Sequence, residues 1–244
     1  MNIRNITLTF AILFASYATA TFVPNSTDAT TVANQASKPI STKAANIVQV
    51  HQTNTVDQEQ KRISEFVYIV QSRLGREYAD RVAKAIVTSA RRNGLPPMMV
   101  ATTGYIESEF RMVSRPAIGI MQILPSTARR VFGNSGLDPY KLEDNIEMGS
   151  RYLATHYRKY AGSYSRLRGN TTSRSGSTGS SASVPNLTPD QQVIVMRQTW
   201  GRYNGSGMNG AYQRKAMIVW NRVTKLTPDD WKKHVNTKGP LWKN

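Results

Sequence analysis

The chain contains no cysteine, which excludes both a disulfide framework and a thiolate metal site. Histidine is scarce. The three present, His51, His156 and His234, are too scattered for a metal-ligand spacing, so neither a metal nor another cofactor is expected. Acids are also few: 15 Asp and Glu stand against 32 Lys and Arg, for a net charge of +17. Such a field attracts polyanions of any kind, whether nucleic acid, anionic lipid or an acidic cell-wall polymer. Charge alone supports no specific nucleic-acid partner. The hydrophobic share, 39%, is low for a fully packed chain of this length, so part of it is expected to lie outside a core.

What is present begins with an export pattern. Arg4 precedes an apolar run from about Ile6 to Tyr17, and Ala18-Thr19-Ala20 has the small-x-small character of a signal-peptidase site. Residues 1–20 therefore read as a cleavable signal peptide, and the protein as periplasmic or secreted. The run is shorter than the roughly 20 residues that span a bilayer, so no stable membrane span is expected. Residues 21–60, rich in Thr, Ser, Asn, Gln and Ala, read as a low-complexity tether. A Gly/Ser/Thr segment at about 169–183 reads as a mobile insert.

The remaining patterns are helical, without a convincing series of alternating strands. Ile63, Phe66, Val67, Val70 and Leu74 recur at helical spacing. Glu77 to Arg92 places acids first and arginines last, with Asn93-Gly94 as the stop. Pro96-Pro97 opens a third helix, MMVATTGYIE. Ile146, Gly149, Leu153, Tyr157 and Tyr160 mark another face. Thr188-Pro189-Asp190-Gln191 is a capping box, and Thr227-Pro228-Asp229-Asp230 repeats that start. The body, residues 61–226, is thus mainly α, followed by a short basic tail or helix at 227–244. Trp200, Trp220 and Trp231 read as core or cleft walls, with Trp200 suited to stacking on a sugar. Gly205 to Gly210 spells G-x-G-x-x-G, but without a βαβ context it does not indicate a dinucleotide site.

The few acids can be sorted by position. Glu77, Asp80, Glu143, Asp144, Asp190, Asp229 and Asp230 fall in or before predicted first turns, where unpaired backbone N–H groups favour negative charge. Glu147 falls in the first turns of its helix, Glu65 on a polar helix side, and Asp138 in a turn. Only Glu107 and Glu109 fall at a helix C-terminus, where the dipole disfavours them. A carboxyl buried there should have a raised pKa, as a general acid requires. Glu107 lies inside the helix and Glu109 beyond it, which makes Glu107 the one expected to be buried and Glu109 the solvated one. Spacing alone leaves catalysis and a paired structural role both open.

Glu107-Ser108-x-Phe110, Gly119-Ile120-Met121-Gln122, Pro125-x-Thr127-Ala128, Asn145-Ile146-x-x-Gly149-x-x-Tyr152-Leu153 and Tyr203-Asn204-Gly205 occur in that order. Together they resemble the soluble lytic transglycosylase domain family, related to goose-type lysozymes, over about residues 62–223. The departures are Ile120 for a Leu, a short segment between Phe110 and Gly119, Arg202 for an Ala before Tyr203, and the insert. The resemblance implies a lysozyme-like helical domain with a cleft for the glycan strand of peptidoglycan. It implies a lyase that cleaves the MurNAc-GlcNAc β-1,4 bond and leaves 1,6-anhydro-MurNAc ends, exported by the signal pattern of residues 1–20. Glu107 would be the catalytic acid and base. Ser108, Met121 and Gln122 would line sugar subsites, with Tyr203 and Asn204 positioning Glu107 or the sugar and Tyr212 standing for the family's last Tyr. The tether and the charge are compatible with local wall opening alongside an envelope-spanning secretion, conjugation or phage apparatus. The alternatives are a muramidase, which hydrolyses the same bond, and a non-catalytic wall-binding or assembly protein.

Overall fold

The computed structural model describes residues 42–114, 116–167, 187–205 and 210–243. Both the signal peptide and the insert read from the sequence lie outside the described residues, as do residues 206–209 of the Gly205–Gly210 stretch. Secondary structure in the described part consists of α-helices, one 3-10 turn and isolated bridges. In chain order the helices are α1 (Thr42–Val70), α2 (Gly75–Arg92), α3 (Pro97–Ser108), α4 (Pro125–Phe132), α5 (Leu142–Leu167), α6 (Pro189–Tyr203), α7 (Ala211–Lys225) and α8 (Pro228–Lys238). None of them is long and apolar enough to cross a membrane.

The centre of the fold is α3. From Met98 to Ile106 its sequence carries no charge, and a helix apolar on all sides must be surrounded. Pro97 to Tyr105 are all buried. Pro97 occupies the first turn, where its missing N–H costs nothing. Around α3 pack Ile63, Phe66 and Val67 of α1, Val82 and Ile86 of α2, Ile146 and Leu153 of α5, Trp200 of α6 and Val219 of α7. Each such side chain contributes about 1.5–3 kcal/mol on burial. Trp200 also donates its indole N–H to Thr103 Oγ1 at 3.0 Å, which ties α6 to α3. It is fully buried, so the sugar-stacking role read for it from the sequence does not hold: the ring faces the core.

Two boundaries differ from the sequence reading. Residues 42–60, read as tether, belong to α1. The segment lacks apolar periodicity, but it includes the helix formers Ala, Gln, Lys and Glu and contains neither Gly nor Pro, so nothing in it breaks a helix. Its later part is held by Val56 against the core and by Glu59, which pairs with Arg91. At the other end, 227–244, read as a tail or helix, forms α8 and packs into the body. Trp231 of α8 and Leu241 are fully buried, and Trp231 packs 5.7 Å from Phe66. Trp242 lies on Tyr105 at 5.2 Å. The two capping boxes, Thr188 with Gln191 and Thr227 with Asp230, are formed as read.

Candidate active site

The site is built where α3 stops. Glu109 and Phe110 both take left-handed backbone angles, φ 53° and 63°. A side chain in that region costs about 1–2 kcal/mol per residue. Complete burial of Phe110 offsets the strain; its ring meets Phe66 edge-on at 5.1 Å. The Phe110 N–H returns to Gly104 O at 3.3 Å and the Glu109 N–H to Tyr105 O at 2.8 Å, satisfying carbonyls at the helix end. Just inside this stop, Glu107 is half-buried.

Burial pushes the Glu107 carboxyl up to about 7, against a smaller opposing effect of a hydrogen bond from Tyr212. The Tyr212 hydroxyl donates to Glu107 Oε1 at 2.7 Å. Tyr203 stands close enough for the Glu107 charge to act on it. Its hydroxyl is held well above the usual tyrosine range, first by burial, then by Glu107 and Tyr152. Tyr212 is raised likewise, by burial and then by Glu107 and Tyr203. Glu107 therefore shares its pocket with two neutral phenols.

The facing wall is the loop through Gly119-Ile120-Met121-Gln122. Isolated antiparallel bridges join Ser114 to Ile118 and Ile118 to Ile123. Asn145 of α5 clamps the loop: its Oδ1 accepts from the Met121 N–H at 2.8 Å, and its Nδ2 donates to Ile118 O at 2.9 Å and Pro139 O at 3.0 Å. Gly119, at φ 75°, lies so close that a Cβ there would sit 2.3 Å from the Asn145 amide. Tyr203 donates to Met121 O at 2.7 Å, so the same loop fixes Tyr203 beside Glu107.

The residues read as sugar-lining divide. Ser108 is buried and donates to Ile120 O at 2.9 Å and, with longer geometry, to Gly104 O at 3.2 Å; it fastens the loop to α3. Met121 is fully buried, and its side chain occupies the space that a Cβ on Gly149 would take, 2.5 Å away. Gln122 is half-buried and turns back on its own loop, donating to Gly119 O at 2.7 Å. Asn204 is exposed at the end of α6. Glu109 is about one-third exposed and faces Arg111 at 3.7 Å. Among the described residues no cluster of His, Asp and Glu has the makings of a metal site.

Residues 84–177 match the family model of the transglycosylase SLT domain. Over that stretch the chain is similar to the transglycosylase SLT domain. No solved structure matches the chain. That similarity supports action on peptidoglycan of the lytic transglycosylase type, and the mainly helical structure is consistent with a lysozyme-like domain. The match takes in Glu107, the Gly119–Gln122 loop and Asn145 to Leu153, and it ends before Tyr203 and Tyr212. Those tyrosines reach Glu107 through the packing of α6 and α7.

Two residues of α5 have roles that the sequence did not reveal. Asn145 was visible only as a letter of a motif; its buried three-point clamp needed the fold. Glu147, read as a helix-start acid, is buried and accepts from Ser89 Oγ at 2.6 Å and Arg151 Nε at 2.7 Å, with Arg92 at 3.2 Å. Burial alone would raise its pKa, but the Ser89, Arg151 and Asn93 hydrogen bonds outweigh it and the carboxyl is lowered. The signal lay in the Glu147–Arg151 spacing of one helical turn. Glu147 is thus held toward its ionised form as a link between α2 and α5, whereas burial shifts Glu107 the other way.

Proposed function

We propose that this protein is an exported lytic transglycosylase that cleaves the MurNAc-GlcNAc β-1,4 bond of peptidoglycan and leaves 1,6-anhydro-MurNAc ends, with Glu107 as its acid and base. One observation carries the reading: Glu107, half-buried at the end of α3 and bonded by Tyr212, has a pKa near 7. A group poised there populates both forms near neutrality, which suits a residue that first gives a proton and then takes one.

In the proposed reaction the protonated carboxyl donates its proton to the glycosidic oxygen, and the bond from that oxygen to C1 of MurNAc breaks. The GlcNAc departs with a free 4-hydroxyl. The positive charge at C1 is shared with the neighbouring N-acetyl group, a substrate-assisted route that dispenses with a second carboxylate. Glu107, now ionised, removes the proton of the C6 hydroxyl as its oxygen closes on C1. No water is consumed and Glu107 ends protonated. Tyr212, bonded to Oε1, leaves the second carboxyl oxygen to carry the proton. Export rests on the pattern of residues 1–20.

Digestion of purified sacculi followed by mass spectrometry of the released muropeptides tests this. The expected products carry anhydro ends and vanish with Glu107→Gln. Free reducing ends would make the protein a muramidase, and equal products from both proteins would remove Glu107 from the mechanism.

A further inference from the structure

On α5, Tyr152, His156 and Lys159 stand at i, i+4 and i+7, along one side of the helix. Ring contacts show where that side faces. Tyr152 meets His156 at 4.8 Å and Tyr203 at 5.4 Å, and Tyr203 bonds the loop opposite Glu107. The row therefore leads outward from the catalytic pocket, and Arg202 lies beside it in the last turn of α6.

Arg202 and Lys159 are both exposed, and no ion pair among the described residues includes either. Both cations act on one place. The His156 ring is held below its usual pKa by burial first, and then by the charges of Arg202 and Lys159. Its Nε2 is buried without a hydrogen-bond partner among the described residues. A half-buried imidazole thus feels two exposed positive charges that make no ion pair among the described residues, and its ring meets Tyr152, which in turn meets Tyr203.

We propose that Arg202 and Lys159 form a carboxylate-binding rim on the cleft, which holds the acidic groups of the peptide stems carried by a peptidoglycan strand. This rests on the peptidoglycan reading above. The glycan itself offers no anion once its lactyl groups are joined to peptide; the stems do, through their free α- and side-chain carboxylates. The rim makes the protein prefer peptide-bearing strands to strands stripped of their stems.

The test measures binding of the whole protein to glycan strands with stems and to strands from which the stems have been removed enzymatically. Glu107→Gln is the background throughout, so that strands are not consumed. Exposed charge pairs are weak individually, and two of them predict about a three- to tenfold preference for peptide-bearing strands at low salt. The preference should shrink as salt is raised. In Arg202→Ala/Lys159→Ala the ratio of the two affinities falls to near one. In Arg130→Ala, which removes an exposed charge from α4, the ratio stays. Equal binding of both strand types by the background protein, a preference that survives in the double variant, or one that disappears equally with Arg130→Ala would each overturn the proposal. Absence of binding to either strand would instead overturn the peptidoglycan reading itself.

Discussion

Replacing Glu107 by Gln should stabilise the protein, and only above a particular pH. The carboxyl sits near 7 in the folded chain because burial disfavours its charge, against an ordinary value of 4.5. The folded protein therefore keeps this proton over a range in which the unfolded chain has released it. Stability is lost as pH rises from about 4.5 to about 7 and is constant in this respect above that. The gap corresponds to on the order of 3 kcal/mol. Gln cannot ionise, yet its carbonyl can still accept from Tyr212. The two proteins should then unfold alike near pH 4, and Glu107→Gln should be the more stable by up to about 3 kcal/mol near pH 8. Urea unfolding of both at a series of pH values gives the difference directly, and all other titrating groups cancel. A difference that is flat across the window, or that grows toward acid, would show that Glu107 is not the proton-holding group and would remove the basis for its role.

Further outcomes follow from the same geometry. The Tyr212 hydroxyl favours the ionised form of Glu107, so Tyr212→Phe should raise the carboxyl further and move the alkaline limb of kcat up by as much as about one pH unit; a limb that moves toward acid would contradict the hydrogen bond's direction. Asn145→Ala strands the Met121 N–H and two carbonyls and should cost about 2–4 kcal/mol in urea unfolding. Gly119→Ala forces a Cβ toward the Asn145 amide at φ 75° and should cost a similar amount by overpacking. The double variant should cost less than both together, because truncating the Asn145 side chain vacates the contested space; strict additivity would mean that the clamp does not act as one unit.

The outline of α3 was legible in the chain. Pro97 at its start, an uncharged run through Ile106 and the first carboxyl at Glu107 are local features, and each acts within a turn or two of its own position. The capping boxes at Thr188 and Thr227 are of the same kind. Glu147 shows the limit of such reasoning. Its place near a helix start is real, but its burial depends on Ser89 and Arg92 arriving from α2. Met121 and Ser108 show a second limit: a motif marks residues that the site needs, without saying whether a side chain meets ligand or holds the wall that does. Met121 fills the notch at Gly149, and Ser108 ties the loop to α3.

By itself the sequence determined a mainly helical protein with one carboxyl placed against its own helix dipole, because periodicity, caps and charge order act over short stretches of chain. The tertiary structure alone decided what that carboxyl can do. Tyr212, 105 residues away, supplies its hydrogen bond, and the surrounding burial sets its pKa near 7. Desolvation and long-range hydrogen bonds belong to the packed state, where residues far apart in the chain share one low-dielectric pocket.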